Sequence, residues 1–163
     1  MTAQTPASDA SWAFFLHAEP DFARSVQDRF ARHRHHVLAT LRKDGSPRVT
    51  GLEVIFREGQ LWLGMMPDSL KARDLLRDPR LALHANPGAD DSMDGGDVKL
   101  SGRAVQITDP EELARFAASI EQPLPFHLFR VEIVDVVRTS VEGDELVLRS
   151  WRPGEALVVR RRN

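Results

Sequence analysis

The chain predicts a mainly β fold, an antiparallel barrel with short peripheral helices. Three features carry that expectation. Seven or eight short segments have strand character, with apolar residues alternating or massed in brief runs. Most are joined by tight turns, marked by Asp44-Gly45, Glu58-Gly59 and Glu142-Gly143. Few stretches between them carry a helical period. So many strands in one open sheet would leave edges to protect, and closure removes them.

Taken in order, residues 1–9 read as a disordered tail and residues 10–163 as one domain. Trp12, Phe14, Phe15 and Leu16 mark a short helix that ends near Pro20. In "PDFARSVQDRFARH", Phe22, Val26 and Phe30 recur every four residues and form one helical stripe. "HHVLATLR" is a strand, with Val37, Ala39 and Leu41 alternating against polar or small neighbours. The turn "KDGSP" leads to a return strand, "RVTGLEVIFRE", and Glu58-Gly59 leads to a third, "QLWLGMM". A helix follows from about Pro67 to Arg77, then a fourth strand, "RLALHANP", and a flexible acidic loop, "GADDSMDGG". "DVKLSGRAVQI" is a fifth strand, where Gly102 signals a bulge or a close approach. "TDPEELARFAASI" is a helix capped by Thr108 or Asp109, with Pro110 in its first turn. The long strand "FHLFRVEIVDVVRTS", then "VEGDELVLRSW" and a short "EALVVRRR", complete the chain.

Composition excludes several functions. A net charge of −2 provides no general basic field for nucleic acid. With no cysteine there are no disulfides, thiolate metal sites or cysteine nucleophiles, which suits a reducing cytoplasm. No apolar run approaches the ~20 residues of a membrane span. The first residues have no basic start and carry an acid, unlike a signal peptide. His35 and His36 are adjacent on a strand and point to opposite faces, so they do not converge on a metal. No metal site is expected. His84 and His127 read as core or rim histidines.

The informative stretch is "MMPDSLKARDLL". Only three of the 22 basic residues are lysines, and Lys71 is one of them. It falls in the first turn of a helix, where four backbone N–H groups lack intrahelical acceptors and the helix dipole favours an anion. Asp68 or Ser69 is the natural cap. Ser69 also has a hydroxyl to donate, and the Lys71 ammonium can fold back over the helix end. On local sequence alone the same residues better suit an ordinary capped surface helix, with Asp68 as cap and a solvated lysine. Upstream, Met65 and Met66 with Gly64 could line a flat ring or fill the core. Arg48, at the start of "RVTG", could add a bidentate contact or remain a solvated cation.

The segment "HHVLATLRKDGSPRVTGLEVIFREGQLWLGMMPDSLKARDLLRDPRLALHANP", followed by "VKLSGRA", resembles the pyridoxamine 5′-phosphate oxidase-like split-barrel superfamily. The likeness covers residues 33–110 and, more loosely, Trp151. It implies an antiparallel split β-barrel of the FMN-binding type, and a cytoplasmic homodimer with its cofactor at the subunit interface. The implied cofactor is FMN, with the deazaflavin coenzyme F-420 as alternative, and the implied activity is oxidoreduction of a small molecule. By the same resemblance Ser69, Leu70 and Lys71 match the phosphate-holding helix start. Arg48, Val49, Thr50 and Gly51 match the strand beside ring and phosphate. Met65 and Met66 match the pair preceding that helix, and Trp151 matches a late tryptophan. No catalytic acid or base is assigned.

Two departures bear on substrate. Glu53 stands where the namesake enzymes resemble one another in a lysine, and no arginine-x-histidine pair follows Trp151. Asp97 stands where they place a cofactor-contacting glutamine. Pyridoxine phosphate oxidation is therefore not expected. A non-catalytic carrier, or a haem-binding split barrel using His84 or His127, are the alternatives from other classes.

Overall fold

The computed structural model describes residues 9–89, 93 and 95–163. Most of the expected tail, and Asp90–Ser92 and Asp94 of the expected acidic loop, lie outside the described residues. Two helices, α1 (Trp12–Ala18) and α2 (Pro20–Ala31), precede β1 (His36–Leu41), β2 (Pro47–Leu52), β3 (Ile55–Arg57) and β4 (Gln60–Met65). Next come α3 (Leu70–Arg77), β5 (Arg80–His84), β6 (Asp97–Ile107) and α4 (Pro110–Ser119). The chain ends with β7 (His127–Glu142), β8 (Glu145–Trp151) and β9 (Val158–Arg162).

All ladders are antiparallel, in the order β2-β1-β5-β6-β7-β4-β3, with β8 and β9 added beside β7. The expected single return strand is in fact two. Up to Leu52 the chain pairs with β1; from Ile55 it pairs with β4. No glycine or proline marks the change, so the sequence runs through it unsignalled. This break is what closes the fold. Strands at opposite ends of the order are joined by Glu53 and Val54 alone, so their ends lie within about 11 Å. The sheet must curl to allow that, and since no ladder joins β2 to β3 the barrel is split.

Antiparallel register stacks the core in rows. Leu38, Leu83, Leu100, Val136 and Trp151 are successive partners across five strands, and all are buried. α1 and α2 cover this side with Trp12, Phe15 and the stripe Phe22, Val26 and Phe30. Trp151 stacks on Phe15 at 4.4 Å between ring centroids. β1 shows its alternation in the opposite phase to the apolar reading. His36, Leu38 and Thr40 face inward, while Val37 is 38% exposed. The inward polar groups are satisfied: His36 Nδ1 accepts from the Asn86 N–H and Thr40 binds Asp74. Burial holds the His36 imidazole below its ordinary pKa, in spite of opposing backbone bonds. Gly102 is at a register shift between β6 and β7, and a Cβ there would meet Val131 Cγ1 at 2.7 Å and the Glu132 carbonyl at 2.8 Å.

Candidate functional site at the start of α3

α3 is shorter than expected and begins after an irregular turn. Asp68 adopts a left-handed φ of 58°, and Ser69 is the cap. Its hydroxyl accepts from the Ala72 N–H at 3.4 Å, and the Ser69 carbonyl accepts from Arg73. The N–H groups of Leu70 and Lys71 precede the first intrahelical acceptor and are left to bind something else. Leu70 is 56% exposed, so nothing bulky covers that end.

α3 packs on β1, and its side chains reach across to β2. Lys71 Nζ donates to the Gly51 carbonyl at 2.8 Å, which pins the ammonium over the strand. Partial burial pulls its pKa below the usual lysine value. Three residues back on β2, Arg48 Nε donates to Asp74 Oδ2 at 2.7 Å. Between them Val49 is largely exposed, and the inward Thr50 hydroxyl is buried with no hydrogen-bond partner. Of the residues expected to form the site, Arg48, Val49, Thr50, Gly51, Ser69, Leu70 and Lys71 gather between β2 and the start of α3. The methionines divide: Met65 is in the core and Met66 is exposed. Trp151 lies apart, fully buried against Phe15 at the opposite end of the inward row that starts at Thr50.

The hub of this region is Asp74, which the motif reading passed over. It is 2% exposed, and Oδ2 accepts from both Arg48 and the Thr40 hydroxyl while Oδ1 accepts from Arg77 at 3.0 Å. Burial pushes its carboxyl up, but the donated bonds from Arg48, Thr40 and Arg77 outweigh it and hold the pKa below the ordinary value. Asp74 therefore fixes where Arg48 points. Sequence gave little sign of it, because its partners are 26 and 34 residues away and only strand register brings them together. Alongside, an open cleft of about 570 Å³ lies between α3 and the β1–β2 hairpin.

Glu53 and His84 lie outside this cluster. Glu53, in the link from β2 to β3, pairs with Arg34 at 2.8 Å at the surface. His84 is half-buried on the outer face, its Nδ1 2.6 Å from the Ala85 carbonyl oxygen.

The pyridoxamine 5′-phosphate oxidase family matches residues 22–139. No curated protein matches the chain. Among solved structures, an Agrobacterium tumefaciens protein of unknown function, Atu2129, is 26% identical with a TM-score of 0.56, over 72% of this chain and 56% of that one. A pyridoxamine 5′-phosphate oxidase-related, FMN-binding protein from Nostoc punctiforme is 16% identical with a TM-score of 0.61, over 89% and 96%. HutZ, the heme storage protein from Vibrio cholerae, is 16% identical with a TM-score of 0.51, over 87% and 94%. At such identity the last two share the fold alone.

Proposed function

The chain belongs to the pyridoxamine 5′-phosphate oxidase family, and from that premise we propose that it is a flavin-binding oxidoreductase. The ligand is FMN, or the deazaflavin coenzyme F-420 in the alternative, with its phosphate at the start of α3. The observation that carries this reading is the convergence there of Lys71, Arg48 and two free N–H groups. The residues fit the group. Lys71 is tethered through one of its three protons and keeps two to donate. The Ser69 hydroxyl accepts through its oxygen and keeps its proton. The buried Thr50 hydroxyl still lacks a partner. Gly64 offers open space where a ring could approach the strand.

When bound, the cofactor supplies hydride or electron transfer. The chain holds and orients. Lys71, Ser69 and Arg48 grip a phosphate, and Asp74 keeps the Arg48 fork aimed. Val49 and Gly51 present a small, open surface for a flat ring. Trp151 is buried against Phe15, and its indole Nε1 has no hydrogen-bond partner among the described residues.

A homodimer with the ring at its interface fits the outer face of the sheet. The row Gly51, Val37, His84, Lys99 and Val137 faces outward, and Val37, Val49 and Val134 leave apolar surface exposed. The absence among the described residues of any helix able to cross a membrane is compatible with a cytoplasmic setting. The substrate is a small molecule, and Glu53 argues against pyridoxine phosphate. A carboxylate near the ring repels a phosphate dianion, although Arg34 offsets part of its field. Turnover of pyridoxine phosphate by the FMN-loaded protein at about 1 s⁻¹ would reverse that statement.

Reconstitution with FMN, F-420 and hemin, each followed by desalting and an absorption spectrum, tests the function. Retained flavin or deazaflavin absorbance supports it. Retention of hemin alone gives the haem-binding alternative.

A further inference from the structure

The cleft between α3 and the hairpin is more cationic than one phosphate at the helix start requires. Arg42, Lys43, Arg48, Arg73 and Arg77 line it, against Asp44 and Asp74. The two carboxylates offset part of this charge and leave a formal excess of three positive charges. Asp74 is buried under Arg48, Thr40 and Arg77. Asp44 accepts from the Ser46 N–H at 2.9 Å and hydroxyl at 2.6 Å, which shape the turn, and these bonds hold its carboxyl below the ordinary pKa. Among the cations, Arg73 has only a 4.0 Å approach to Asp68, and Arg42 only a 3.5 Å contact with Ser46. Lys43 has no ion-pair partner among the described residues.

The far wall is tied together by hydrogen bonds. Arg77 donates to the Leu41 carbonyl at 2.6 Å as well as to Asp74, so it ties the end of α3 to the hairpin. Arg42 N–H donates to the Ser46 carbonyl and Gly45 N–H to the Arg42 carbonyl, which closes the turn that carries Arg42 and Lys43. The cleft starts beside Leu70 and ends at Arg77, seven residues along the helix, which is roughly 10 Å.

We propose that this cleft binds a second anionic group, a phosphate or a carboxylate, roughly 10 Å from the α3 start. Arg48 lies between the two positions. The placement relative to a first phosphate rests on the reading given above; the cleft's own affinity for an anion does not. The second group belongs either to an acidic extension of the cofactor beyond its phosphate or to a separate small anion, and one experiment separates the two sources.

The variant is Arg42→Gln with Lys43→Gln, both on the exposed turn and outside the α3 grip. Sodium pyrophosphate is titrated calorimetrically into wild type and variant at low salt, with and without FMN. FMN and F-420, whose phosphate carries a carboxylate-bearing chain, are titrated in parallel. FMN affinity is expected to be unchanged within about twofold, because FMN has no group that reaches the hairpin. Pyrophosphate affinity falling about tenfold or more in the variant identifies a separate anion. F-420 affinity falling by that factor while pyrophosphate is unaffected identifies a cofactor extension. If neither probe distinguishes the two proteins, the cleft is solvated surface and the proposal is overturned. Failure of FMN to bind either protein overturns the cofactor reading instead, and the ligand-free pyrophosphate arm still decides the cleft.

Discussion

Replacing Lys71 with alanine separates binding from folding. The lost ammonium makes one hydrogen bond, 2.8 Å to the Gly51 carbonyl, at a half-buried surface position. That is a weak contributor to stability, so the unfolding free energy should change by less than about 0.5 kcal/mol. Binding is another matter. A charge-assisted hydrogen bond to phosphate contributes about 1.5–3 kcal/mol. The tether to Gly51 already restricts the lysine arm, so little further side-chain entropy is lost when a ligand arrives. The expected loss therefore lies toward the upper half of a range of about 10- to 150-fold in FMN dissociation constant. Flavin fluorescence quenching measures it, with riboflavin as the control that lacks the phosphate. Riboflavin affinity should not move. Equal FMN constants in the two proteins would take Lys71 out of the site. An equal loss for FMN and riboflavin would place it against the ring rather than the phosphate.

Other outcomes follow from the same geometry. Asp74→Asn leaves Arg48 and Arg77 without their buried carboxylate and should cost about 3–5 kcal/mol at pH 7 by denaturant unfolding. Because the folded Asp74 pKa is depressed, its stabilisation is complete above the unfolded value of about 3.9 and is lost as pH falls through the folded one. The gap between wild type and Asp74→Asn should thus narrow below about pH 4; a constant gap would show that charge is not its origin. Gly102→Ala forces a methyl into Val131 and the Glu132 carbonyl, and should lower stability by about 1–3 kcal/mol, whereas an unchanged denaturant midpoint would mean that the bulge relaxes freely. In sedimentation the protein with cofactor should run as a dimer of 18.3 kDa chains; a clean monomer with cofactor bound would contradict an interfacial site.

Much of the strand architecture was legible because turns and alternation are local. Asp44-Gly45 and Glu58-Gly59 do close hairpins, Gly102 is at the bulge, and Phe22, Val26 and Phe30 do share one buried face. What failed is what only register decides. The division at Glu53-Val54 depends on which strands lie at the two ends of the sheet. The inward phase of β1 depends on a buried carboxylate on α3 that receives Thr40. Local signals narrowed the cap to Asp68 or Ser69 and marked the lysine in the first turn, while the choice of Ser69, the hub at Asp74 and the cationic hairpin wall were invisible until distant segments met.

The ratio of FMN to riboflavin affinity in the unaltered protein bears most directly on a phosphate site at the start of α3. With Lys71 and at least one further donor engaged, FMN should bind more tightly by about 100-fold or more, and the ratio should shrink as salt is raised. Equal affinity for the two ligands, or no saturable binding of either, would contradict a phosphate grip built from Ser69, Lys71 and Arg48.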